Sequence, residues 1–94
     1  VKLIMVMGHS RCGAVDAAIH DAGHDSIIHI TDEIKKAIGA ETDPVCCEKK
    51  NILHSMKRIK KSPLLQPSIK DGSLKIVGAY YHTRSGEVEL LENE

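Results

Sequence analysis

Residues 1 to 7, Val1-Lys2-Leu3-Ile4-Met5-Val6-Met7, are aliphatic or methionine at every position except Lys2. That is the pattern of a parallel strand buried on both faces, and Gly8 punctuates it. From Gly13 the chain turns to Ala14, Val15, Ala17, Ala18 and Ile19, small residues that favour a helix packed closely on a sheet, ending near Gly23. Ile27, Ile30, Ile34 and Ile38 recur at three-to-four spacing and predict a second helix with one buried face, capped by Asp25 or Ser26 and stopped by Gly39. Asp43-Pro44 supplies a cap and a first-turn proline for a longer helix. Ile52, Met56 and Ile59 line its inner side, and Ser62-Pro63 ends it. Asp71-Gly72 predicts a turn into a strand over residues 74–81. Arg84-Ser85-Gly86 then leads to the strictly alternating Glu87-Val88-Glu89-Leu90, so the last two strands are expected to form a hairpin.

The predicted order is strand, three helices, strand, strand. This is one α/β domain over residues 1–94, of three-layer type, with a mostly parallel sheet closed by a C-terminal β-hairpin. An apolar first strand with a free edge exposes unpaired backbone groups, so upstream sequence or a second copy is expected to cover it. Val1 is not an initiator methionine, which points to the same upstream segment.

Composition narrows the picture. With 94 residues, no Trp, no Phe and two Tyr, the expected core is thin and aliphatic rather than built on aromatic anchors. Lys plus Arg and Asp plus Glu both total 13, so no broad field draws the chain to nucleic acid or an anionic membrane. The basic run Lys57-Arg58-Ile59-Lys60-Lys61 reads as a solvated helix end that favours the dipole. Three cysteines, two adjacent at Cys46-Cys47, do not form the paired framework of a secreted domain and suit a reducing cytoplasm. No apolar run approaches a membrane span.

The candidate chemistry lies in Gly8-His9-Ser10-Arg11-Cys12-Gly13-Ala14, between the first strand and first helix. His and Cys are preferred zinc ligands, and their spacing on a tight turn lets an imidazole and a thiolate converge on one ion. Cys12 sits near a helix start, where backbone amides favour the thiolate, and Gly13 leaves room for close approach. Two ligands alone do not complete a tetrahedral site. Thiol catalysis is disfavoured: no arginine follows Cys12 as in phosphatase-like loops, and the string lacks the last glycine of a nucleophile elbow.

The same string resembles the second zinc-ligand motif of the β-class carbonic anhydrases. The resemblance continues through Asn51-Ile52 early in the long helix, Ser62-Pro63-Leu64 at its end, Gly78-Ala79-Tyr80-Tyr81 on a strand, and Ser85-Gly86-Glu87-Val88 in the closing hairpin. It implies an incomplete β-carbonic-anhydrase-like fold, Zn2+ as cofactor with His9 and Cys12 as two of its ligands, and carbon dioxide/bicarbonate as substrate. It also implies a homo-oligomer, dimer or higher; the charge balance and lack of a long apolar run already lead to the expectation of no nucleic-acid or membrane partner. The family's other cysteine belongs to an upstream Cys-x-Asp-Ser-Arg motif that this sequence does not contain. No catalytic residue is therefore assigned. Cys46 and Cys47 are substitutes by ligand type only, and His20, His24, His29, His54 and His82 receive no role. The alternative reading is a non-catalytic subunit or interaction module that pairs through its open strand edge.

Overall fold

In the computed structural model, which describes residues 2–20 and 27–91, the strands pair in chain order. Strand β1 (Lys2–His9) runs parallel to β2 (Leu74–Tyr81), from Lys2 opposite Leu74 to His9 opposite Tyr81. Strand β3 (Val88–Leu91) returns antiparallel on the other edge of β2, with Tyr81 opposite Val88 and Gly78 opposite Leu91. The sheet is mixed, with the parallel first pair expected from the apolar opening strand and the closing hairpin expected from the alternation.

Between β1 and β2 lie α1 (Gly13–Ile19), α2 (Ile28–Ile38), α3 (Pro44–Lys60) and α4 (Gln66–Lys70). The short α4, opened by Leu65 and carrying Pro67 in its first turn, corrects the expectation of three helices. Five residues hold no apolar period long enough to read, although a proline is favoured near a helix start. Helix α3 begins as expected: the Asp43 carboxylate accepts from the Cys46 N–H at 2.9 Å, satisfying one orphan donor of the first turn. Its last turn carries Lys57, Arg58 and Lys60, on the side the helix dipole favours.

Helix α2 is stopped by Gly39, whose φ of 58° is readily adopted only by glycine. The proposed caps Asp25 and Ser26, like Gly23, lie outside the described residues. The buried face of α2 is Thr31, Ile34 and Ile38, while Ile30 is 53 % exposed. Ile34 and Ile38 are buried as expected, and the one departure is that Thr31 rather than Ile30 completes the buried face. The Thr31 hydroxyl tolerates that place because it donates to the Ile28 carbonyl at 3.1 Å.

Register sorts the sheet into two faces. Ile4, Val6 and Gly8 share one face with Ile76, Gly78 and Tyr80, and α3 lies across it, joining Ile52 and Met56 to Ile76 and Tyr80 in one cluster. A second cluster, Val15, Ala18, Ile34, Ile38 and Cys47, holds α1 and α2 against α3. Tyr80 is among the largest fully buried side chains, which corrects the purely aliphatic core. A Cβ on Gly8 would stand 2.7 Å from two side-chain atoms of Ile52, and one on Gly78 would stand 2.6 Å from the Met56 sulfur. These glycines let α3 approach the sheet. Gly13 has nothing within 4 Å of such a Cβ, so the space beside the Cys12 turn is open.

The other face is open among the described residues: Leu3, Met5 and Met7 on β1 and Val88 and Leu90 on β3 are all at least 44 % exposed. Burial of β1 on both faces was expected. An all-aliphatic strand is buried twice only when a layer covers each side, and here α3 covers one. Among the described residues β1 is the sheet's edge, the free edge expected from the sequence.

Surface carboxylates are expected to make the fold acid-sensitive. Lys49, then His82, hydrogen-bonds Glu89 and lowers its pKa; Lys36 does the same for Glu33, and the Ser73 side chain and N–H for Asp71. A carboxyl whose folded pKa is depressed stabilises the fold at neutral pH and loses that contribution as pH falls through its folded value. The urea midpoint is therefore expected to be lower near about pH 3 than about pH 7, and Glu89→Gln to shrink the difference. Equal midpoints at the two pH values would contradict this.

Candidate metal centre

The turn from β1 to α1 is fastened from three sides. The Ser10 N–H donates to the Tyr81 carbonyl at 2.9 Å, extending the parallel ladder by one step. The Ser10 hydroxyl oxygen accepts from the Thr83 N–H at 2.9 Å and lies 2.8 Å from the Thr83 hydroxyl, which ties the turn to the β2–β3 connection. Arg11 then takes a φ of 58°, a left-handed conformation that costs a non-glycine residue roughly 1 kcal/mol. With φ −74° and ψ 117°, Cys12 leaves that reversal as the N-cap of α1, and its carbonyl accepts from the Asp16 N–H at 3.0 Å.

His9 ends β1 and is exposed, in register with Tyr81. Its Nδ1 lies 2.9 Å from the Ser10 carbonyl. A carbonyl only accepts, so in the neutral ring Nδ1 carries the proton and Nε2 the lone pair, the arrangement found when a ligating histidine is oriented by a backbone carbonyl. Cys12 is a free, half-buried thiol packed beside the Val15, Ala18 and Ile34 cluster. It also lines a cleft of about 420 Å³ together with Ser10, Arg11, Asp16 and Pro44.

The donor chemistry at the turn fits zinc as far as it goes: one imidazole with its lone pair on Nε2 and one thiol. Among the described residues, however, no three His, Cys, Asp or Glu side chains gather as a metal-binding group. The two donors are a partial set. Cys46 and Cys47 do not extend it. The Cys46 thiol donates to a Glu41 carboxylate oxygen at 3.2 Å, and the Cys47 thiol to the Glu41 carbonyl at 3.3 Å. The Glu41 hydrogen bond raises the pKa of Cys46, and burial raises that of Cys47, and both thiols are engaged with Glu41 at the start of α3. Of the other described histidines, His20 pairs with Asp16, His82 pairs with Glu89 and His54 lies 3.5 Å from Glu33, while His29 lines a second cleft beside Cys12.

Sequence reasoning missed Glu48. Its carboxylate is 4 % exposed and lines the same cleft as Cys12. One oxygen accepts from the Cys12 N–H at 2.9 Å and the other from the Tyr80 hydroxyl at 2.6 Å. Burial first, and then this bond to Glu48, drives the Tyr80 phenol far above its ordinary range, so Tyr80 remains a neutral donor. A signal was present: Glu48, Ile52 and Met56 recur at four-residue intervals, which places a carboxylate on the buried stripe of α3.

Residues 1–88 match the carbonic anhydrase family. Beta carbonic anhydrase 5, chloroplastic, of Arabidopsis thaliana is 35 % identical over 87 % of this chain and 32 % of its own length. Beta carbonic anhydrase 6, mitochondrial, of the same plant is 30 % identical over 95 % of this chain and 36 % of its own. The fold matches the Coccomyxa β-carbonic anhydrase in complex with acetazolamide, with a TM-score of 0.78 and 23 % identity over 97 % of this chain and 47 % of that one. It also matches one of two tetrameric β-carbonic anhydrases of Sordaria macrospora, with a TM-score of 0.78 and 21 % identity over 99 % and 53 %. The chain thus spans about a third of these curated relatives and about half of these solved structures.

Proposed function

Because this chain belongs to the β-class carbonic anhydrase family, we propose that it takes part in the zinc-dependent hydration of carbon dioxide to bicarbonate, with His9 and Cys12 as two of the metal's ligands. The observation that carries this reading is the donor pair on the family-matched turn, with His9 fixed by the Ser10 carbonyl so that Nε2 is free to ligate. Zinc in such a site supplies Lewis acidity, which brings the pKa of a water it binds to about 7. The chain's own part is to present an imidazole and a thiolate from a turn held by Ser10, Thr83 and Glu48. The remaining donors come from outside the described residues, and the protein works as a homo-oligomer, a dimer or larger, in keeping with its open apolar sheet face. Three free thiols suit a reducing compartment such as the cytoplasm, although the two plant relatives bear chloroplastic and mitochondrial names. No described helix is long and apolar enough to cross a membrane.

Mass spectrometry under native conditions, paired with a stopped-flow assay of carbon dioxide hydration, tests the reading. Zinc is expected on the folded protein, with hydration activity that chelation removes. Folded protein that takes up no zinc would remove the enzymatic reading. The partial donor set and the exposed apolar strand β1 favour a second reading, a non-catalytic subunit that associates through that strand. It is favoured by folded, oligomeric protein with neither zinc nor activity.

A further inference from the structure

We propose that Glu48 is a positioning residue for the Cys12 thiol, a role that rests on the reading of Cys12 as a metal donor. The case begins with the Cys12 backbone. Cys12 precedes the first residue of α1, and the ladder with β2 ends at Ser10, so neither helix nor sheet uses its N–H. An orphaned, partly buried donor is costly. The group that takes it is a carboxylate reaching from α3, distant in sequence. Its second oxygen is held by Tyr80, itself 1 % exposed on β2. One side chain thereby locks the turn to α3 and to the sheet, through the amide of the residue that carries the sulfur.

Packing alone does not account for a carboxylate here. Glu48 shares a stripe with Ile52 and Met56, where an apolar side chain of similar volume avoids the cost of burying a charge. What an apolar side chain lacks is an acceptor for the Cys12 amide. Gln keeps one: its carbonyl accepts from Cys12 while its NH2 donates to the Tyr80 oxygen. Glu48→Gln and Glu48→Met therefore separate positioning from packing.

The test uses the full chain. Without metal, NMR hydrogen exchange is read at the Cys12 amide against the amides of Met56 and Val77. Glu48→Met is expected to speed Cys12 exchange by roughly ten- to a hundred-fold, the factor a hydrogen bond to a charged group commands, with the control amides unchanged. Glu48→Gln is expected to stay within about threefold of wild type, and Tyr80→Phe, which frees one carboxylate oxygen, to fall between the two. In the second arm, Co2+ titration followed by thiolate-to-cobalt absorption is expected to show about ten- to a hundred-fold weaker binding in Glu48→Met and near wild-type binding in Glu48→Gln.

Wild-type Cys12 exchange in Glu48→Met overturns the proposal, as does a glutamine variant no better than methionine. Faster exchange with undiminished cobalt affinity also overturns it, since the clamp then does not position the donor. A wild-type protein without the thiolate–cobalt band defeats the metal-donor reading instead, and the exchange arm still decides whether Glu48 holds the turn. Should Glu48→Met fail to fold, the comparison rests on Glu48→Gln and Tyr80→Phe, and the same exchange rate at Cys12 in both and in wild type overturns it.

Discussion

Cys12→Ala is expected to keep its fold and lose its zinc. The thiol is half-buried at the rim of the α1–α2–α3 cluster, so truncation to a methyl removes little packing and the thermal transition shifts by only a few degrees. The metal has no comparable tolerance, because a protein ligand contributes a bond to the ion itself. Altering outer partners of a ligand costs roughly 10–100-fold in affinity, and removal of the ligand is expected to cost more than that. His9→Ala should give the same loss with even less effect on stability, since its ring is exposed and, among the described residues, bonds to the Ser10 carbonyl. Cys46→Ala and Cys47→Ala are the controls: with those thiols bonded to Glu41 rather than placed at the turn, zinc content is expected to stay at the wild-type level. Native mass spectrometry on all four variants decides the matter, and a Cys12→Ala protein that binds zinc like wild type would refute the assignment.

Ile52→Ala is expected to produce the largest loss of stability, about 2–5 kcal/mol, the range for deleting a buried aliphatic side chain that leaves a cavity. Ile52 is 3 % exposed and fills the space above two glycines of neighbouring strands. Two of its side-chain atoms stand 2.7 Å from where a Gly8 Cβ would lie, and a third stands 3.1 Å from the Gly78 Cβ position. Strand backbone at Gly8 and Gly78 forms part of the walls and cannot collapse into the gap, while the Met56 side chain beside Gly78 can partly fill it. The same geometry predicts coupling. Gly8→Ala alone overpacks against Ile52 and destabilises, by about 1–3 kcal/mol. In the Ile52→Ala background its methyl refills part of the cavity, so the double variant should be more stable than the two single costs imply. Urea denaturation of the three proteins measures the cycle, and strict additivity would show that Ile52 does not sit on Gly8.

Much of this was legible from local pattern. The β2 boundaries at Leu74 and Tyr81, the Asp43-Pro44 start of α3 and the Gly39 stop of α2 were read from residues whose own conformational preferences act where they stand. The motif on the first turn was equally plain, because His9 and Cys12 are neighbours in sequence. Less legible were features that depend on which layer arrives. Ile30 and Thr31 differ by one step around α2, and only the direction from which α1 and α3 approach decides that Thr31 is buried. Leu3, Met5 and Met7 look like core in any linear reading, yet α3 covers the opposite face.

By itself the sequence determined the kinds and order of the main elements and the family, since elements follow from residues within a few positions of one another and the family from short motifs repeated along the chain, and it supplied the proposal of a donor pair on the first turn. The tertiary structure alone decided that Gly8 and Gly78 are the close-approach sites, that Tyr80 anchors the core, and that Glu48 grips the Cys12 amide. Those contacts join residues more than 20 positions apart, and they exist only because α3 crosses the β1–β2 pair on one face, a geometry set by the summed packing of many side chains rather than by any short stretch of chain.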